Sequence, residues 1–271
     1  IINKEILNRT ADYVHASAMA IYGGGYGSNT TIDGNTTINL TENARVLKVF
    51  GGGEQGSVLG TATINLISGT VGNVYGGGFA EGYTANTQVN VPTTSQIKAN
   101  AIFGGALGES EGRPCDVGVS NVTFASATAT VEDGIYGGNH TARATKETNV
   151  TISTPVKNQH GNLLSIYGAG YGAGTIAGFT NVTLNAGAQV AKVYGGGREG
   201  KVYNHYKYCT IDGYSDDRQA IWTSSSTDDV YNTQINIFGT ANSGIAHVTG
   251  NVYGAGYGVN AHTSGKTKVQ L

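Results

Sequence analysis

Proline is almost missing from this 271-residue sequence, with three copies, and cysteine occurs twice, as Cys115 and Cys209. So little proline excludes a Pro/Gly linker, and the absence of a G-X-Y period excludes collagen. Two cysteines are too few for a disulfide framework or a zinc site. Charged residues make up 13% of the chain, about half of the usual quarter. Sixteen basic and eighteen acidic residues leave a net charge of −2. That balance carries no electrostatic footprint for nucleic acid or an anionic membrane. No apolar run approaches the ~18 residues of a spanning segment, so membrane insertion is not expected. What the chain has in excess is glycine, 43 residues, roughly twice the usual share of about 7%.

The glycines belong to a repeat. An aliphatic–aromatic–glycine step recurs with its aromatic at Tyr22, Phe50, Tyr75, Phe103, Tyr136, Tyr167, Tyr194 and Tyr253. The spacings are 28, 25, 28, 33, 31, 27 and 59. The last is one repeat plus an insertion, or two repeats with one degraded. After each anchor comes a period-two segment, such as Thr37-Ile38-Asn39-Leu40, Thr63-Ile64-Asn65-Leu66 and Asn149-Val150-Thr151-Ile152. Alternation with β-branched residues means strand. A third, weaker element carries one aliphatic, at Val46, Val71, Ile97, Val131 and Val190. Three short strands per turn with glycine at the corners predict an all-β parallel β-helix, a three-sided solenoid of about 27 residues per coil and about eight or nine coils. Parallel pairing of the strands around Val49 and Val74 is its direct test.

Alternation places the aliphatic of each anchor inward and the aromatic outward, as an external ring ladder. The other reading begins the corner at the aromatic and turns the ring inward as a packing stack. Both remain open from the sequence. Asn39, Asn65, Asn90, Thr123, Thr151, Thr183 and Asn236 are expected to form one outward polar ladder.

Residues 1–20 fit the repeat poorly and read as an N-terminal cap or a degenerate coil. Residues 21–271 read as a single β-helix with a long insertion at about 201–231. There is no initial Met, and the last segment, Val269-Gln270-Leu271, stops mid-coil. The chain is therefore expected to be part of a longer chain or an assembly. Cys115 and Cys209 stand three coils apart, about 14 Å along the axis at ~4.8 Å per coil, so free thiols are expected.

The insertion gathers Tyr203, Tyr206, Tyr208, Tyr214, Tyr231 and the single tryptophan, Trp222. A long loop on a rigid scaffold is where specificity concentrates. Tyr203, Tyr206, Tyr208 and Trp222 are the candidate binding residues, because aromatic faces suit sugar rings or a protein partner. Asp216, Asp217, Asp228 and Asp229 are the candidate metal ligands, for calcium, and no other cofactor is expected. As adjacent aspartates in a Ser/Thr-rich loop they also read as solvated turn residues, and the aromatics also read as an anchor folding the loop onto the rod. His205 reads as an exposed loop residue. Gly195 to Gly200 and Gly51 to Gly56 match G-x-G-x-x-G, but no helix follows to hold a phosphate. The Asn-x-Ser/Thr sites fall on the strand pattern itself, so they are weak evidence of glycosylation.

The recurring Val-Tyr-Gly-Gly-Gly, followed by the alternating strand, as in Val49 through Leu66 and Ile166 through Leu184, resembles the Gly-rich repeats of bacterial cell-surface, adhesin-like β-helix proteins. The resemblance covers about residues 21–271 apart from the insertion. It implies a non-enzymatic structural or adhesive segment, secreted or at the cell surface, whose partner is a glycan or a host or cell-surface protein. A β-helix carbohydrate-active enzyme, a polysaccharide lyase or hydrolase, is the alternative. That chemistry needs paired carboxylates, and the strands have almost none. A regular Asn/Thr face also fits an ice-binding or surface-templating role.

Overall fold

The computed structural model describes residues 20–42, 44–108, 116–141, 144–203, 231–240 and 244–271. Among these, the regular elements are strands alone. They form a parallel β-helix. One ladder joins Ala20–Tyr22, Arg45–Phe50, Ser68–Tyr75, Gln96–Phe103, Thr130–Tyr136, Ile166–Tyr167, Val193–Tyr194 and Val252–Tyr253 in chain order. The other runs from Thr31–Ile32 and Thr36–Leu40 through Ser57–Leu66, Tyr83–Val91, Asp116–Phe124, Ala144–Ile152 and Ile176–Leu184 to Thr233–Ile237 and Thr267–Gln270. Val49 faces Val74 across a parallel pair, as the repeat requires. Tyr194 faces Tyr253 directly, so the 59-residue spacing is one coil plus an insertion. Lys201–Val202 pairs with the first part of Ile176–Leu184, and Thr233–Ile237 with the second. The insertion thus falls between two segments that pair with the same strand.

The third face does not stand as a separate strand in most coils. Val46, Val71, Ile97 and Val131 lie on the anchor strands themselves. Val46 and Val49 are three apart, yet both enter the aliphatic core. Strict two-residue alternation forbids that on a flat strand, so the chain turns within the strand. A register shift between Val131 and Gly134 marks such a turn.

The core is built of columns in which like stacks on like. Ile38, Ile64, Val89, Val122, Val150, Val182 and Ile235 form one column by direct register. Leu40, Leu66, Val91, Phe124, Ile152 and Leu184 are equally buried beside it. Each such side chain stabilises by roughly 1.5–3 kcal/mol when fully buried, and each depends on the coils above and below for its cover.

Candidate functional site

The rings of the anchor step form one continuous stack. Successive centroids from Tyr22 through Phe50, Tyr75, Phe103, Tyr136, Tyr167 and Tyr194 to Tyr253 lie 4.7–5.2 Å apart, with ring planes within 13° of parallel. The ladder spacing sets this distance, and each such pair adds about 0.5–1.5 kcal/mol beyond area burial. The rings cluster apart from the aliphatic core, as alternation predicts. They are nevertheless buried: Phe50, Tyr75, Phe103 and Tyr136 are at most 2% exposed. The outward ladder is therefore a second core on the outer side of the strand.

Part of its cover comes from a row that sequence reading missed. The residue four places after each anchor aromatic bridges to its equivalent in the next coil: Tyr26, Glu54, Phe79, Leu107, His140, Tyr171, Arg198 and Tyr257. The signal was available, since five of these eight are apolar or tyrosine at a constant offset from the anchor. Phe79 leans on Phe50 at 5.6 Å. His140 stacks on Phe103 at 4.9 Å and on Tyr171 at 5.1 Å. The position after this row turns the corner with positive φ, at Gly27, Gln55, Ala80, Thr141, Gly172, Glu199 and Gly258.

The phenols of the stack end on polar groups. The Tyr75 hydroxyl accepts from Asn73 Nδ2 and lies 3.3 Å from His140 Nδ1. The Tyr136 hydroxyl donates to Asp133 Oδ2 at 2.9 Å and accepts from Arg198 Nη1 at 3.2 Å. Arg198 also pairs with Asp133 Oδ1 at 3.0 Å and sits 4.8 Å over the Tyr171 ring. Burial pushes the Tyr75 phenol up to about 12 and raises Tyr136, Tyr167 and Tyr194 as well. Burial also lowers the His140 imidazole, which favours its neutral form.

Two further ladders brace the coils. A buried hydroxyl donates to the carbonyl of the glycine that follows the anchor aromatic: Thr36 to Gly51, Thr87 to Gly104, Ser120 to Gly137, Thr148 to Gly168, Thr180 to Gly195 and Thr233 to Gly254. The expected polar ladder is half-buried from Asn39 to Thr183, whereas Asn236 is buried, and its hydrogen bonds follow two rows rather than one. Asn65 donates to Asn39 and Asn90 to Asn65. Beyond that, Asn149 donates to Asn121 and Asn181 to Asn149, and Asn236, which register places beside Thr183, crosses back to donate to Asn181. Register puts Thr123 rather than Asn121 beside Asn90, so the amide bonding must change row, and Gln88 bridges the change by donating to Asn90 and Thr123.

Of the candidates in the insertion, Tyr203 is placed. It is half-buried, its ring tilted against His262 at 5.5 Å. Tyr206, Tyr208, Trp222, Asp216, Asp217, Asp228 and Asp229 lie outside the described residues, as do His205, Cys115, Cys209 and the segment 1–19. Tyr231, at the other end of the insertion, lies beneath the Lys268 ammonium, 5.6 Å from the ring centroid. Among the described residues no group of three His, Cys, Asp or Glu side chains gathers as a metal site.

These features define a class, a parallel β-helix rod braced outside by stacked rings and amides. Comparison with known proteins finds no matching family model, no matching curated protein and no matching solved structure.

Proposed function

We propose that the chain is a non-enzymatic structural and adhesive segment of a bacterial surface or secreted protein, a stiff spacer that presents contacts to a glycan or to a host or cell-surface protein. One observation carries the reading: the ring stack passes through eight coils without a break. Such a brace resists shear between coils, as a spacer under tension requires. The outward polar rows support it, because they are spent on coil-to-coil hydrogen bonds. The insertion between Tyr203 and Tyr231 departs from the repeat in sequence, and Tyr203, Tyr206, Tyr208 and Trp222 are its contact residues.

Two measurements test this. Single-molecule pulling should show cooperative unfolding at a force that drops when Tyr136→Leu interrupts the stack. A glycan and host-protein array should show binding that Trp222→Ala or deletion of the loop abolishes. Release of reducing or unsaturated ends from pectin, hyaluronan or mucin glycans would replace the proposal with the lyase or hydrolase alternative.

A further inference from the structure

We propose that the third face of the rod is a docking strip for a linear acidic polysaccharide, held by a column of cations, Arg45, Lys98 and Lys157. The strip adds a second surface to the adhesive reading and does not depend on the contacts at the insertion.

Register builds the column. Arg45 faces Thr70, Thr70 faces Lys98, Lys98 faces Thr130, and Thr130 bridges to Lys157. A cation thus returns on every second coil, with a threonine on the coil between. Arg45, Thr70, Lys98 and Lys157 are exposed. Their chain neighbours Ala44, Val46, Ile97, Ala99 and Val156 are buried, so the column points away from the core. Each of the three cations has coils on both sides of it, which puts the strip on the flank of the rod. At ~4.8 Å per coil, successive cations stand about 9–10 Å apart and the column is about 19 Å long.

The surroundings leave this charge available. Among the described residues, no carboxylate lies within ion-pair distance of Arg45, Lys98 or Lys157. The two carboxylates on the same face are engaged elsewhere: Asp133 pairs with Arg198, and Glu132 accepts the backbone N–H of Gln159. Lys48 and Lys192 add positive charge just before their anchor steps. The whole chain carries a net charge of −2, so coil register, rather than composition, gathers the positive strip.

The pattern selects the occupant. A straight row of charges at a fixed step suits an extended polyanion. One sugar of an extended polysaccharide advances about as far as one coil rises. A polymer that is acidic at every second sugar therefore brings a carboxylate to each cation and a neutral sugar to each threonine. The flexible lysine stems can follow a chain whose step departs a little from the coil rise. Gln96 and Asn100, both exposed beside Lys98, offer amides to sugar hydroxyls. Single-stranded nucleic acid would call for aromatic platforms on which bases stack, and the segments 44–48, 68–73, 96–101, 129–134 and 155–157 contain no aromatic residue.

Hyaluronan, acidic at every second sugar, is the probe. Neutral dextran and double-stranded DNA are the comparisons, each immobilised for surface plasmon resonance at low salt. The expected result is binding to hyaluronan that weakens as salt rises, and no binding to dextran. Lys98→Gln should weaken binding several-fold, and Arg45→Gln/Lys98→Gln/Lys157→Gln should remove most of the affinity and its salt dependence. The thermal midpoint should not move, because all three side chains are exposed. Lys146→Gln/Lys266→Gln removes two exposed lysines outside the column and should leave binding unchanged. Trp222→Ala should leave it unchanged too; a loss there would move the contact to the insertion, overturning the strip while sparing the adhesive reading. Absence of binding to hyaluronan, equal binding to dextran, tighter binding to DNA or an equal loss in Lys146→Gln/Lys266→Gln would also overturn the strip.

Discussion

A methyl group added at Gly76 should open the rod between two coils. Its Cβ would lie 2.2 Å from the carbonyl oxygen of Gly104 in the next coil, 2.8 Å from Thr87 Cβ and 2.9 Å from Thr87 Oγ1. These neighbours are backbone and a buried, hydrogen-bonded side chain, so none can swing aside. Ordinary contact begins near 3.4 Å, so the coils must part by about 1 Å, against a ladder spacing of ~4.8 Å. That movement strains three hydrogen bonds: Gly76 N–H to Phe103 O at 3.0 Å, Gly77 N–H to Gly105 O at 3.0 Å, and Thr87 Oγ1 to Gly104 O at 2.6 Å. At about 1 kcal/mol each they amount to roughly 3 kcal/mol. Loosening the Tyr75–Phe103 stack, now at 5.2 Å, adds about 0.5–1.5 kcal/mol. Gly76→Ala should therefore cost about 3–5 kcal/mol, a large part of the ~5–15 kcal/mol that holds a domain together. The assay is urea unfolding, compared with Gly34→Ala, where the added methyl meets nothing within 4 Å and the change should stay within about 0.5 kcal/mol. Because a repeat array is held by nearest-neighbour terms, the variant should also unfold over a broader range of urea. If Gly76→Ala unfolds at the same urea concentration as Gly34→Ala, the close-approach argument is wrong.

Three other outcomes are expected. Ala62 occupies the place held by Thr36 and Thr87 in adjacent coils, so Ala62→Thr should supply the missing hydroxyl to the Gly76 carbonyl and stabilise by about 0.5–1.5 kcal/mol in the same urea assay. Gln55 holds φ at +68°, a conformation costing a non-glycine residue about 1–2 kcal/mol, so Gln55→Gly should raise the thermal midpoint even after glycine's entropic cost. The rod should also unfold in alkali: Tyr75 titrates near 12 in the fold but near 10 when unfolded, so its contribution is complete below pH 10 and is lost as pH rises from 10 toward 12. Tyrosinate absorbance should then rise together with loss of β-sheet dichroism; separate transitions would contradict the buried stack.

The coil period, the strands and the aliphatic columns were legible because each is a local property of the chain. Alternation at Thr63-Ile64-Asn65-Leu66 names which residues face inward, and a glycine corner every ~27 residues allows neighbouring copies to pair only in parallel. The ring stack was half legible: alternation set the side of the strand, but burial of Phe50 or Tyr136 depends on residues from neighbouring coils, Phe79 and Tyr171, that lean across. The candidate site at the insertion was a matter of composition, and of its named residues Tyr203 alone falls among those the structure describes. By itself the sequence determined the solenoid, since period-two burial and glycine corners act residue by residue. Tertiary structure decided the rest: the change of amide row at Gln88, the hydroxyl lid over the glycine carbonyls of most coils and the reach of Arg198 to Tyr136 and Asp133. These contacts join residues from 15 to 65 positions apart, and only a formed ladder brings such residues within hydrogen-bond reach.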